Sequence, residues 1–492
     1  MHQKASRMRA ITAGLDFLPL WAVARVDLAI AFGLFARMVY YSSMSDTGPL
    51  WFAQRKGQDW RDEDVLAMID WLVSNVPSRE WERRMDRVRT NFEQGKQAWA
   101  AGQQAALFDP KDLIAWYVFQ ANAYAAERQD FFEPECFRIA PVFRRLGQVL
   151  QSLRQVKGIE ERAARLMTDG RKQPDDNLFE LLVAASYKRG GWNEVAFVPE
   201  VKGGPKTQDL MVTRPRSRWA VECKRVNRSG YEAEEKAFGD ALAAPVHALC
   251  RASGRSLVIE VFFHEELCNV ENSYLVERAR AFIDDPRRGG WSDSVAEGRV
   301  RDIDWRLMQM VLSADDIFFG SSRMVELLVG EYVPFADHNV AADWTPAEER
   351  PLHATAISQA SVVSWLSGSS QAAFRKGRHF RAIVGRATEQ LPGDCPAVIH
   401  VGYEARDGNT VDGRRHQLNQ QEMRDFDPGR SRLRWVYGNY LSPEHTTARD
   451  EASALSETTA TYRIGRHRTN DPLPRHLLFD DQPGDPGCHW AK

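Results

Sequence analysis

The stretch whose reading decides the fold is TQDLMVTRPRSRWAVECKRV, residues 207–226. Two apolar runs, DLMVT (209–213) and RWAVE (218–222), flank Arg214-Pro215-Arg216-Ser217. Proline at the second position of a turn favours type I geometry, and four-residue hairpin loops are commonly built around that turn. Folded there, Thr213 faces Arg218, Met211 faces Ala220 and Asp209 faces Glu222. Opposed residues of an antiparallel pair have Cβ atoms about 4.5–5.5 Å apart. The register therefore predicts two carboxylates side by side. Strand alternation adds Lys224 to their face and turns Cys223 the other way.

Opposed carboxylates repel unless a cation stands between them. Mg²⁺ or Mn²⁺ meets that need, because hard divalent ions take one or two carboxylates plus water and substrate phosphate. A metal, two carboxylates and an ammonium in one place suit phosphodiester hydrolysis, with the metal activating water and the lysine stabilising developing charge. Asp209, twelve intervening residues and Glu222-Cys223-Lys224 resemble the motif of the PD-(D/E)xK nuclease superfamily, with its restriction-endonuclease-like fold. Gln208 stands where that motif often has proline. The resemblance extends to an α-β-β-β-α-β order over 177–265. It implies that Asp209 and Glu222 bind the metal, that the backbone carbonyl of Cys223 contributes a ligand, and that Glu180, on the first helix, completes the site.

Simpler roles exist for each residue. Asp209 and Glu222 also suit the solvent-facing ends of edge strands, and Lys224 an ordinary ion pair with Glu222. Asn177-x-x-Glu180 has the form of a capping box. Two further Glu-x-Lys triplets occur. Glu234-Glu235-Lys236 falls in a helical stretch where those residues are good helix formers. Glu200-Val201-Lys202, paired with Pro174-Asp175-Asp176 upstream, would put a whole helix between its acids and lose the hairpin.

Working outward, helix NLFELLVAASYKRGG (177–191) precedes strand EVAFVPE (194–200). Helix 231–253, with Pro245 inside it, and strand SLVIEVFF (256–263) follow the hairpin. Residues 1–168 read as helical, with apolar residues at three- and four-residue spacing in 64–76 and 140–156. Segment 299–313 reads as one or two strands. Helix 370–391 and strands at 396–404, 432–441 and 458–465 read as a further α/β unit. The expected organisation is a helical domain at 1–168, a nuclease-like domain at 169–338 with its core at 177–265, an α/β unit at 353–468 and a loose tail at 469–492. The expected class is α/β, a mixed sheet flanked by helices.

The 492 residues carry a formal net charge of -2, which gives no global attraction to a polyanion. Basic residues do concentrate locally, at Lys202, Lys206, Arg214, Arg216, Arg218, Lys224, Arg225 and Arg228, against Asp209 and Glu222 alone. Such a cluster predicts sequence-independent contacts to backbone phosphates. Helix 371–390 carries Arg375, Lys376, Arg378, Arg381 and Arg386, a second basic face for nucleic acid or an acidic partner. The six cysteines form no CxxC pair, so neither a zinc nor a disulfide framework is expected and a reduced, cytoplasmic setting fits. Apolar segment 17–41 contains Arg25, Asp27 and Arg37, which reads as buried helix rather than membrane span or signal peptide. No P-loop is present. The expectation is a Mg²⁺-dependent nuclease, acting on DNA rather than RNA, as a homodimer or with a protein partner, in bacterial defence or mobile-element biology. The alternatives are a catalytically silent core that binds nucleic acid or protein, and a sensor centred on the 355–468 unit.

Overall fold

Thirteen helices and twelve strands matter here, in a computed structural model that describes residues 61–478 apart from 102–104, 127–129, 200–202, 205, 227–229, 332, 334–335, 349, 378, 406–408, 445–453 and 474–475. Segment 17–41, Lys202, Arg228, Arg378 and the tail beyond 478 lie outside the described residues. The described residues belong to one compact unit.

The described residues begin with helices α1 (Glu63–Val73), α2 (Ser78–Ala100), α3 (Leu113–Ala125), α4 (Glu133–Gln148), α5 (Ile159–Met167) and α6 (Pro174–Arg189). Asp62 caps α1 by accepting the Val65 N–H at 3.1 Å, satisfying one of the donors every helix start leaves free. Helix α3 is apolar nearly all round and correspondingly buried. Where α4 crosses α1, a Cβ at Gly147 would lie 1.9 Å from the Asp64 carbonyl oxygen. Gly147→Ala must push the two helices apart. Denaturant unfolding should show a loss of about 1–3 kcal/mol, the usual range for overpacking.

Strands β1 (Glu194–Phe197), β2 (Leu210–Arg214) and β3 (Ser217–Val226) form an antiparallel meander. Next in the chain come α7 (Gly230–Ser253), β4 (Leu257–Phe263), α8 (Tyr274–Asp284), β5 (Gly290–Ser292), β6 (Ala296–Asp302), α9 (Trp305–Leu312), β7 (Ile317–Phe318), α10 (Ser322–Val329), β8 (Asp337–Pro346) and β9 (His353–Ser367). Helices α11 (Ser370–Gly377) and α12 (His379–Thr388), strand β10 (Ala397–Glu404), helix α13 (Asn409–Arg424) and strands β11 (Leu433–Glu444) and β12 (Ala454–Arg463) complete it.

Two mixed sheets result, one ordered β1-β2-β3-β10-β11-β12 and the other β5-β6-β4-β9-β7 with β8 also on β9. The class is α/β, as the sequence predicts. The strand expected to close the hairpin's sheet is corrected. Residues 257–263 pair with β6 and β9 in the second sheet, and β10 takes the place beside β3, parallel to it. The core therefore does not end at 265. Local pattern could not distinguish the two apolar strands, since parallel partners are set by distant chain. The stronger signal was AVIHVGYE itself: seven of its eight residues are buried, as for a central strand covered on both faces. Residues 397–463 thus continue the hairpin's own sheet, and 230–367 stand between β3 and its parallel neighbour. Segment 299–313 is also corrected, being the end of β6 followed by helix α9.

One apolar cluster joins α1–α6 to one face of the first sheet through Leu178, Phe179, Leu182, Val221, Cys223 and Val398, and it spans positions 168 and 169 without a break. A second, on the opposite face, packs Phe380, Ile383, Val384 and Ala387 of α12 against Ala220, Ile399 and Val401. Phe374, on the preceding helix α11, is exposed. Among the described residues no helix is long and apolar enough to cross a membrane.

Candidate active site

The hairpin forms in the expected register. Thr213 pairs with Arg218, Met211 with Ala220 and Leu210 with Val221, and Arg214 and Ser217 close the turn over Pro215-Arg216. Asp209 lies one residue before β2. Its Oδ2 accepts the Cys223 N–H at 2.7 Å, so the side chain extends the ladder where the strand stops and is held beside Glu222.

Glu222 is wholly buried. Its Oε1 accepts from the Lys224 ammonium, and its Oε2 has no hydrogen-bond partner among the described residues. Lys224 keeps 30% of its side chain exposed, so it lies between the buried carboxylate and solvent. Glu180 sits nearly two turns into α6, whose N-cap is Gln173. The capping-box role is thereby excluded, because that role requires the third helical position. Glu180 instead pairs with Arg162. Gly402 of β10 lets α6 come close at this level: a Cβ there would meet the Phe179 ring at 2.7 Å, one residue from Glu180.

Asp209 is the centre of the cluster. Burial first, and then the Asp209 charge, pushes Glu222 and Glu180 each up to about 8, against the pull of Lys224 on one and Arg162 on the other. Asp176, one turn before Glu180 on α6, is also raised, by burial and then Asp175, and it feels Arg225, Lys224 and Asp209. Arg162 escapes sequence reasoning, and Asp176 enters it only as an acid of the competing Pro174-Asp175-Asp176 motif. Asp176 carries the signal of i, i+4 spacing from Glu180. Arg162 sits in IEERAARLM with Ile159, Ala163 and Leu166, all buried, and an arginine on that apolar face was the available sign.

The expected phosphate-binding residues separate in space. Lys206 and Arg216 are exposed. Arg214 bonds the Gly190 carbonyl at 2.5 Å and lies 4.3 Å over the Trp192 ring. Arg225 is corrected as a phosphate contact, because it turns inward with 8% of its side chain exposed and meets Glu404 at 3.3 Å. Arg216, at the turn, is eight residues along β3 from Lys224, about 26 Å at strand rise. Clustering in sequence is therefore not clustering at the site. Arg138 meets Asp175 at 2.9 Å and Glu404 at 3.5 Å, so a half-buried ionic network ties the ends of β3 and β10 to α4 and α6.

Among the described residues no three acidic, histidine or cysteine side chains stand together as a ready-made metal cluster. The donors nevertheless fit a hard cation: a buried carboxylate oxygen without a partner beside a second carboxylate is the oxygen set Mg²⁺ favours. Set beside known protein families, curated proteins and solved structures, the chain matches none of them.

Proposed function

We propose that this chain is a metal-dependent nuclease with a restriction-endonuclease-like core, hydrolysing phosphodiester bonds of nucleic acid, DNA in preference to RNA. The observation that carries the reading is Glu222: a buried carboxylate with one unpartnered oxygen, next to Asp209 and two residues from Lys224 on one strand. Such a group is unfavourable unless it has work to do, since an unsatisfied buried polar atom costs about 1–3 kcal/mol or more. The reading is supported by the element order α6-β1-β2-β3 followed, after 230–377, by α12-β10, in place of the helix 231–253 and strand 256–263 expected from the sequence.

Asp209 and Glu222 would hold Mg²⁺ or Mn²⁺, with Glu180 and the Cys223 carbonyl contributing. When bound, such an ion supplies an activated water and neutralises charge on the phosphate. Asp209 also fixes the β3 backbone through the Cys223 N–H, so its loss disturbs both position and charge. The half-exposed Lys224 ammonium is placed to stabilise charge on the reacting phosphate. Gly402→Ala would shift α6 and Glu180 with it. Cleavage should fall by about tenfold or more in a folded protein, as small displacements of catalytic groups do. Rate measurements beside a circular dichroism spectrum would check this.

The test is cleavage of linear, circular and single-stranded DNA and of RNA with Mg²⁺ or Mn²⁺, comparing wild type with Asp209→Ala and Lys224→Ala. Activity that survives both substitutions sinks the site. A second reading draws on Arg162, which pairs with both Glu180 and Asp209 and would take a cation's place in a silent nucleic-acid- or protein-binding core. Binding without cleavage of any substrate favours that reading.

A further inference from the structure

We propose that Arg162 is the built-in counter-ion of the carboxylate site, a side chain that a divalent metal must displace from Glu180 and Asp209 when it binds. The inference rests on the metal-dependent reading above and concerns how the site is kept before the ion arrives.

A single nitrogen carries the geometry. Arg162 Nη2 contacts Glu180 Oε2 and also lies 3.4 Å from Asp209 Oδ1. It bridges carboxylates from two elements as a small cation would. The side chain is 8% exposed, and its guanidinium rests over the Phe197 ring of β1 at 5.2 Å. Its anchorage is rigid. Lys157 N donates to the Val195 carbonyl and Phe197 N to the Lys157 carbonyl, both at 2.9 Å, stitching the chain before α5 onto β1. Gly158, with φ of 77°, then turns directly into the helix, a left-handed conformation that glycine adopts without strain.

Charge gives the exchange its logic. One guanidinium serves two carboxylates, Glu180 and Asp209, whose combined charge when ionised is that of one divalent ion. Arginine cannot leave by losing its proton, because it stays charged at any pH a protein survives. It must move off the oxygens that the ion takes. Arg162 therefore protects the acids from one another in the metal-free protein and lowers their affinity for metal.

Calorimetric titration of the folded full-length protein with Mn²⁺ tests this. Arg162→Gln should bind Mn²⁺ at least about tenfold more tightly than wild type, the scale on which an adjacent charge alters a carboxylate's affinity for a cation. It should also melt at a lower temperature without metal. Arg162→Lys, which keeps the charge but not the planar reach, should fall between the two. Equal or weaker Mn²⁺ binding by Arg162→Gln overturns the proposal. If that variant does not fold, equal affinities of Arg162→Lys and wild type overturn it. Failure of the metal-site reading looks different: wild type and every Arg162 variant would then bind no Mn²⁺, whereas failure of this inference alone leaves wild-type binding intact and lost in Glu222→Gln.

Discussion

Glu222→Gln is expected to lower Mg²⁺-dependent cleavage by about 10³-fold, the scale of losing a principal electrostatic contact in a reacting site, while making the metal-free protein more stable. Both effects follow from one buried charge. Glutamine fills the same volume and still offers Lys224 an acceptor, but it removes a carboxylate that the protein holds beside Asp209 with one oxygen unpartnered. The pH dependence carries the same signature. Burial and Asp209 raise Glu222 from the ordinary range to about 8 in the folded protein. The folded state therefore holds a proton that the unfolded state has released. Between the ordinary glutamate value and 8, stability must fall as pH rises, by at most about 1.4 kcal/mol per pH unit for each such group. Below that window there is no penalty, and above it the penalty is complete. Urea unfolding in EDTA from pH 5 to 9 should show the decline in wild type and a shallower one in Glu222→Gln, with Glu180 accounting for what remains. Identical slopes would contradict the assignment of the buried charge.

Lys224→Met should show the opposite coupling, with both activity and stability lost. Removing an ammonium that stabilises charge on the phosphate lowers cleavage by about 10²–10³-fold. Above pH about 8, where Glu222 ionises, the same change also leaves its carboxylate buried without a cation, and breaking a buried pair from one side destabilises by about 3–5 kcal/mol. The loss here belongs at the lower end, because Lys224 is 30% exposed and water can partly replace it. The double variant Glu222→Gln/Lys224→Met separates the two effects. It should recover most of the stability, since neither charge is stranded, and recover none of the activity. Thermal melts and cleavage assays on the four proteins complete the cycle. Recovery of activity in the double variant would show that Lys224 serves only to neutralise Glu222.

The hairpin was legible in the sequence because its determinants are local. Pro215 places the turn, and the period of two then assigns Asp209, Glu222 and Lys224 to their positions. The strand before the hairpin, β1, was legible too, but the continuation of the sheet beyond β3 was not, for the converse reason. Strand β3 takes its parallel neighbour from 397–404 across an inserted sheet, and SLVIEVFF offered an equally apolar candidate much nearer in the chain. Arg162 was hidden by the same distance effect: its partners lie 18 and 47 positions downstream on α6 and before β2. The basic run misled because a strand spreads neighbouring residues along its length and across both faces. Arg225 turned inward to Glu404, while Arg216 went to the far end of the hairpin.

The central claim is that the carboxylates around Asp209 hold a divalent ion that cuts nucleic acid. Its most direct test is cleavage of circular plasmid DNA by wild type and Asp209→Ala at equal concentration of folded protein, with Mg²⁺ and with EDTA. The account predicts nicked or linear product from wild type with Mg²⁺ alone, and a rate at least about 10²-fold lower from Asp209→Ala. Equal cleavage by the two proteins, or cleavage by wild type that EDTA does not abolish, would contradict it.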